Sequence, residues 1–263
     1  MSLAESAIEV LTTPDPAGKA AASRRAATAW REGTLDLQAG PSPPDRPARP
    51  EHPLLLAPRE MPKRKSGGSD AKRIALLHAL AHIELNAIDL AWDLIARFGT
   101  AEMPRAFFDD WVKVADEEAL HFTLLSHRLG ELGAAYGDLP AHDGLWQAAT
   151  ETAHDLLARL AIVPLVLEAR GLDVTPVMIA DMQKHGDTAT TAVLERIYRD
   201  EIGHVAVGMR WFDHFARLAG RDPKETWQAL VRRHFRGALK PPFNQAARDD
   251  AQLPADFYLP IAS

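Results

Sequence analysis

The sequence contains no cysteine. This absence excludes disulfide bonds, thiolate ligands and a cysteine nucleophile, so any bound metal must be held by histidine and carboxylate side chains. Long apolar runs are also missing, since no stretch approaches the roughly 18–20 residues of a membrane span. The first residues, MSLAESAIEVLTTPD, carry acids where a secretory signal carries basic residues, so we expect no signal peptide and a cytoplasmic location.

Basic residues are scarce in the middle of the chain. Residues 74–209 carry 9 Lys and Arg against 21 Asp and Glu, whereas residues 1–73 and 210–240 have a basic excess. An acidic excess is typical of a solvated surface, but it also fits carboxylates that face inward and await cations. The position of these acids on the predicted helices decides between the two interpretations.

Strand patterns are absent, and helical periodicity accounts for most of the chain outside one proline-rich arm at 33–69. Short helices are predicted at 3–13, 16–32, 176–185 and 223–238, and long helices at about 70–99, 104–130, 143–170 and 187–219. We expect the third long helix to end at Gly171, with a kink at Pro164. An irregular tail follows the last helix.

These elements predict an all-α protein, most simply a four-helix bundle with extra N-terminal helices, an extended arm and a C-terminal helix and tail. We predict three segments. Residues 1–69 form the N-terminal helices and arm, residues 70–220 the bundle, and residues 221–263 the C-terminal helix and tail packed on the bundle.

Each long helix carries a glutamate at mid-length on its apolar face, and two helices add a histidine three residues later. The predicted metal ligands are Glu84, Glu118, His121, Glu168, Glu201 and His204. A bare buried carboxylate is costly unless it is protonated, paired or metal-bound. Residues at i and i+3 of a helix share a face, so each Glu-x-x-His pair points in one direction.

The spacing of these residues indicates a duplicated helix pair. Glu84 precedes Glu118 by 34 residues, and Glu168 precedes Glu201 by 33. A glutamate from each of two helices plus a Glu-x-x-His motif from each of the other two is the ferritin-like dimetal pattern. Such an oxygen-rich, nitrogen-poor site suits two iron ions, with manganese as the alternative. Glu118 and Glu201 are the expected bridging, catalytic ligands.

Four segments carry a resemblance to a known family: HALAHIELNAIDLAWD, DEEALHFTLLSHRLGELG, LEARGLDVTP and DEIGHVAVGMRWF. They resemble an uncharacterised family of bacterial ferritin-like proteins, in the same superfamily as the carboxylate-bridged di-iron tRNA hydroxylase and the ubiquinone-pathway hydroxylase. The resemblance covers roughly residues 40–260, including the RPARPEHP and MPKRK segments. It implies a ferritin-like bundle and a di-iron site at all six positions, but it implies no substrate.

Three functions are compatible with this pattern. The first is an O₂-dependent di-iron hydroxylase or oxidase that acts on a small molecule with an external electron donor. The second is a ferroxidase or iron-handling protein without an organic substrate. The third is a binding or scaffold protein that keeps the fold without redox chemistry. We expect a monomer or small homo-oligomer, because the arm and tail do not suit a storage cage.

Two acids beside the ligands are predicted to support them. In the ferritin-like pattern Asp200 can hydrogen-bond His121, and Glu117 can hydrogen-bond His204, which would fix each imidazole ring. Solvated helix acids are the alternative.

Other polar residues have plainer interpretations. One face of the first long helix carries the polar residues His78, His82, Asn86, Asp89 and Asp93. This face could form a second site or a proton path, but we favour contact with solvent or with the arm. Tyr198 is expected to be a core tyrosine rather than a redox group, and Arg170 a helix C-terminal cation rather than the partner of an acid. Four histidines are expected at the surface: His127, His154, His185 and His214.

Two short basic elements, at 62–65 and 232–236, are the only sequence features that suggest contact with RNA. They are separated, have no interleaved aromatic residues and belong to an acidic chain. We therefore do not expect nucleic-acid binding.

Overall fold

The computed structural model describes residues 1–61 and 69–263. The basic element at 62–65 lies outside these residues. The described part of the chain consists of helices and the segments that connect them, with isolated β-bridges but no strands. This confirms the predicted all-α class. The α-helices and the π-helix are α1 (Leu3–Thr12), α2 (Pro16–Arg31), α3 (Asp70–Phe98), α4 (Arg105–Glu131), α5 (Gly144–Glu151), α6 (Leu156–Ile162), a π-helix (Val163–Glu168), α7 (Ala169–Lys184), α8 (Thr188–Leu218), α9 (Pro223–His234), α10 (Gln245–Asp250) and α11 (Ala255–Tyr258). Short 3-10 helices lie at Pro58–Glu60 and Leu259–Ile261.

The chain divides into two compact units, Met1–Trp146 and Gln147–Ser263, with the boundary inside α5. The predicted segment boundaries at 69/70 and 220/221 remain predictions. Each unit contains one of the two repeated helix pairs that the sequence spacing indicates.

The first unit is built on the pair α3 and α4, with α1 packed on α3 and α2 packed on α4. Asp15 caps α2 by accepting a hydrogen bond from the Gly18 N–H, and Pro16 occupies the first helical position, where the predicted helix begins. The apolar faces of α3 and α4 are buried through large side chains such as Trp92 and Trp111. These two helices therefore hold their central turns in a closely packed core.

Helix α3 is long and apolar enough to cross a membrane by length and composition alone. Its most apolar window has a mean hydropathy of 1.4, and 67% of that window is buried inside the protein. Such burial is typical of the core helix of a folded domain.

The proline-rich arm packs against the first unit in the part that the structure describes. The Ala48 N–H donates to the Leu11 carbonyl, and Leu56 pairs with Ala141. Arg49 forms an ion pair with Asp89, at 2.7 Å, and donates to the Asn86 side chain. Asn86 and Asp89 therefore meet the arm, as we favoured from the sequence, whereas His78 and His82 of the same face contact residues 136–142.

In the second unit, the prediction of one helix over 143–170 ending at Gly171 is wrong. Helix α5 stops at Glu151, and Asp155 then caps α6 by accepting hydrogen bonds from two backbone N–H groups. A π-helix surrounds Pro164, where a kink was expected. The helix then continues through Gly171 to Lys184.

Helix α7 passes through Pro176, so the prediction of a separate helix that begins there is wrong. A proline within a helix has no N–H for the carbonyl four residues earlier, which is here that of Leu172. The Asn244 side chain donates to that carbonyl at 3.1 Å. A residue from the C-terminal tail thus replaces the missing helical hydrogen bond.

Candidate metal centre

Three of the predicted ligands meet in the core of the first unit. Glu84 of α3 and Glu118 and His121 of α4 are 4%, 1% and 0% exposed. The His121 Nδ1 atom lies 3.3 Å from Glu84 Oε2 and 3.4 Å from Glu118 Oε2. Their possible ligand atoms lie within 4.8 Å of one another. We call Glu84, Glu118 and His121 the first-unit cluster.

The electrostatics of the first-unit cluster are unfavourable without a cation. Burial raises the pKa of Glu84 well above its ordinary value, and the nearby Glu118 carboxylate raises that pKa further. A hydrogen bond with His121 acts in the opposite direction but is the smaller effect. The cluster therefore favours a proton on Glu84 in the metal-free protein.

The donor set of this cluster fits an iron-type metal. Two carboxylates and one imidazole provide oxygen and nitrogen ligands without sulfur, which Fe²⁺ and Mn²⁺ accept in proteins. A divalent cation would also relieve the repulsion between the two buried carboxylates. The three residues can therefore hold a metal ion, although they do not identify which metal.

The second unit contains the other three predicted ligands, and it brings two of them together. On α8, the His204 Nδ1 atom lies 3.5 Å from Glu201 Oε1, and both residues are buried. Glu168 is the last residue of the π-helix and is only partly buried. Within the described residues, neither Glu168 nor His204 belongs to a group of three or more ligand-spaced atoms.

The acids that were predicted to support the histidines both have a basic neighbour on their own helix. Glu117 lies 2.6 Å from the Lys113 Nζ atom, and Asp200 lies 2.6 Å from Arg196 Nε. A carboxylate accepts several hydrogen bonds, so these pairs leave room for a further donor. The predicted contacts of Asp200 with His121 and of Glu117 with His204 stay predictions.

Several remaining predictions can now be compared with the structure. The four histidines expected at the surface are exposed. Tyr198 is partly buried, and its hydroxyl accepts a hydrogen bond from Asn244 at 2.8 Å. Arg170 lies 3.3 Å from Asp173 Oδ2, in the first turn of α7 and not at a helix C-terminus. The helix C-terminal interpretation of Arg170 was therefore wrong.

Sequence reasoning missed a buried ion cluster beside α3. Lys19 of α2 is fully buried and lies 2.5 Å from Asp89, which also binds Arg49. Nothing in the alanine-rich sequence of α2 indicates that this lysine faces inward. Asp89 was recognised as part of a polar face, but its two cationic partners come from segments about 40 and 70 residues earlier.

His82 belongs to a second buried network on the same helix face. Its Nδ1 atom lies 2.8 Å from the Tyr136 hydroxyl, and its Nε2 atom lies 3.1 Å from the His142 carbonyl. Burial lowers the pKa of His82 to about 4, although the His142 carbonyl favours the charged form. His82 is therefore a neutral structural residue that joins α3 to the loop before α5.

Comparison with known proteins identifies relatives but no activity. A family model described as "Protein of unknown function (DUF455)" matches residues 12–259, a range that contains all six predicted ligands. A protein of Haemophilus influenzae (strain ATCC 51907 / DSM 11121 / KW20 / Rd), named "Uncharacterized protein", is 44% identical over 209 residues, covering 78% of this chain and 72% of the relative. No solved structure matches the chain. The chain therefore belongs to the DUF455 family.

Proposed function

We propose that the protein is a non-haem di-iron oxidoreductase that uses O₂ to hydroxylate or oxidise a small-molecule substrate. The observation that carries this proposal is the first-unit cluster. Two carboxylates and an imidazole are buried there, with their ligand atoms within 4.8 Å of one another. Without a cation, the charge of the two carboxylates is unfavourable in this buried site. A protein that needed only the fold would be more stable with apolar residues at these positions.

In this proposal all six predicted ligands hold two iron ions. Glu84, Glu118 and His121 provide one set of ligands, and Glu168, Glu201 and His204 provide the equivalent set from the second helix pair. The proposal rests on the repeated spacing of the two sets and on the matching Glu-x-x-His pairs of α4 and α8. Glu118 and Glu201 are proposed to bridge the two ions.

Two iron ions in such a ligand set supply redox chemistry with O₂. The chain itself supplies ligands and a water-excluding environment, since the residues of the first-unit cluster have almost no solvent exposure. Without cysteine the chain cannot hold an all-cysteine iron–sulfur cluster, so electrons are proposed to come from an external donor.

The proposal is tested by anaerobic titration of metal-free protein with Fe²⁺. We expect near-stoichiometric binding of two ions per chain, and loss of that binding in Glu118→Ala. Glu131→Ala is the matched control on the same helix, because the Glu131 side chain is 45% exposed and pairs with Arg128. Absence of tight two-ion binding to the wild-type protein would refute the proposed function.

Iron storage uses a similar donor set, and assembly size separates the two functions. A storage cage needs many subunits with a clean outer surface, whereas this chain carries an arm and a tail beyond its long helices. We expect size-exclusion chromatography with light scattering to give a monomer or small homo-oligomer. A closed shell of many subunits would favour iron handling instead.

A further inference from the structure

The C-terminal tail is fixed to the second unit by two polar residues, Asn244 and Arg248. Arg248 is 3% exposed, and its Nε and Nη2 atoms donate to the two Asp173 oxygens at 2.9 and 2.8 Å. The guanidinium group also lies over two rings that contact each other, 5.0 Å from that of Phe243 and 4.5 Å from that of Tyr258. A bidentate ion pair and two cation–π contacts hold this part of the tail in one geometry.

The same residues contact the turns that carry the proposed ligands of the second unit. Arg248 Nη2 lies 3.3 Å from the carbonyl of Ala169, the residue that follows Glu168. Asn244 donates from its side chain to the carbonyl of Leu172 and to the hydroxyl of Tyr198, which lies one turn before Glu201 on α8. The tail therefore connects α7 to α8 beside both glutamates.

The connection between the tail and α7 affects the orientation of Glu168. Glu168 ends a π-helix, in which hydrogen bonds run from residue i to i+5 rather than i+4. Relaxation of that segment to α-helical geometry would turn the Glu168 side chain about the helix axis. The contacts of the tail with Ala169 and Leu172 secure the first turn of α7, which fixes the end of the π-helix.

We propose that residues 239–261 act as a clamp, with Arg248 and Asn244 as positioning residues that orient Glu168 and Glu201 for metal binding. We call this segment the C-terminal clamp. The inference rests on the proposed function, because it assigns the clamp a role at the same metal centre. Neither Arg248 nor Asn244 is proposed to touch the metal.

Thermodynamic coupling provides a readout that a merely structural role would not produce. If the clamp favours the metal-binding geometry, bound metal must stabilise the clamp by the same free energy. Hydrogen exchange of wild-type protein, followed by mass spectrometry with and without Mn²⁺, measures this stabilisation. We expect slower exchange in α10 and α11 with Mn²⁺, and no change of exchange in α10 and α11 when Mn²⁺ is added to Glu201→Ala.

Substitutions in the clamp test the coupling from the other side. We expect Arg248→Ala and Asn244→Ala to weaken Mn²⁺ binding roughly tenfold, the lower end of the effect of residues that orient metal ligands. Arg248→Lys keeps the charge but not the bidentate geometry, so it should recover only part of the affinity. Binding is measured by electron paramagnetic resonance of free Mn²⁺, at a temperature where circular dichroism shows each variant folded.

Two controls separate positioning from loss of stability. Val231→Ala removes buried side-chain volume from α9 and should lower stability while leaving Mn²⁺ affinity unchanged. Arg217→Ala removes an exposed arginine of α8 that pairs with Asp213, and should change neither quantity.

The possible failures are distinguishable. If wild-type protein binds no Mn²⁺ and no Fe²⁺, both the proposed function and the clamp are overturned. If wild-type protein binds two ions, but the clamp variants bind equally well and exchange in the tail ignores the metal, the clamp alone is overturned.

Discussion

At the scale of single residues, the carboxylates of the first-unit cluster that would bind a metal lower the stability of the metal-free protein. Glu84 and Glu118 are buried together, and each would be ionised in water at neutral pH. The sequence alone located these residues, because an acid within an apolar helical stripe is conspicuous. It could not locate Lys19 or Arg248, since their partners are distant along the chain and each lies in a segment with no distinctive pattern.

The first prediction concerns Glu118→Gln. This substitution removes the negative charge that raises the pKa of Glu84, so the metal-free protein should gain about 1–2 kcal/mol in free energy of unfolding. The same variant should lose tight Fe²⁺ binding, because an amide is a poor replacement for a bridging carboxylate. Urea denaturation and anaerobic titration measure the two effects. Glu131→Gln, on the exposed side of α4, should change neither, and a destabilised Glu118→Gln protein would contradict the argument.

The second prediction concerns protons. An acid with a raised pKa in the folded state stabilises the metal-free protein below its ordinary pKa, and this contribution is lost as the pH rises toward the folded value. Metal binding requires the ionised carboxylate, so loading must release protons and affinity must rise with pH. Calorimetric titration with Mn²⁺ in buffers of different ionisation enthalpy measures this release. Glu84→Gln should release fewer protons than wild type, and equal release would show that Glu84 is not the group that titrates.

At the scale of helices, local sequence signals gave the wrong helix boundaries where tertiary contacts stabilise the helix instead. Gly171 was expected to end a helix, and Pro176 to begin one, but α7 passes through both. The helix tolerates Pro176 because the Asn244 side chain donates to the carbonyl that the proline leaves without its helical hydrogen bond. No local pattern reveals this contact, since Asn244 lies about 70 residues further along the chain. Helix starts with a local cap were predictable, as at Asp15 and Asp187, because their side chains bond backbone N–H groups three residues away.

The third prediction compares two glycines of the second unit. A Cβ atom at Gly208 of α8 would lie 2.4 Å from the Pro164 Cβ atom, whereas one at Gly171 would meet nothing within 4 Å. Gly208→Ala should therefore destabilise the protein by about 1–3 kcal/mol, because the rigid proline of the π-helix cannot yield. Gly171→Ala should stabilise it by roughly 0.5–1 kcal/mol, because alanine is the better helix former. Thermal unfolding checks both signs, and a stabilising Gly208→Ala would contradict the close packing of α8 on the π-helix.

The fourth prediction concerns the attachment of α2 and the arm to α3. Asp89 is 0% exposed and is the partner of both Lys19 and Arg49. Asp89→Asn should lower the free energy of unfolding by about 3 kcal/mol or more, because two cations then lose their buried counter-charge. Glu9→Gln breaks an exposed pair with Arg25 and should cost less than about 1 kcal/mol. Similar effects of the two substitutions in urea denaturation would refute a special role for the buried cluster.

At the scale of the whole molecule, the two compact units divide the six predicted ligands into the same two sets of three as the repeated helix pairs. Each unit contributes one Glu-x-x-His motif and one further glutamate, from a single chain of 263 residues. The sequence predicted this duplication from spacing alone. It did not predict that the boundary falls inside α5, because the two units are defined by contacts between residues that are distant along the chain. The start of α6 does have a local signal, the cap at Asp155, which the prediction of one continuous helix overlooked.

The fifth prediction asks whether the two ligand sets form one centre. If both ions share Glu118 and Glu201, loss of either bridge removes both ions, so Glu118→Ala and Glu201→Ala should each abolish two-ion binding and the double variant should lose nothing more. Independent sites would behave additively, with one ion retained in each single variant and none in the double variant. Equilibrium dialysis with Fe²⁺ under anaerobic conditions gives the stoichiometry of all three proteins. Retention of one tightly bound ion in each single variant would show two separate mononuclear sites, and would remove the basis for assigning di-iron chemistry to this protein.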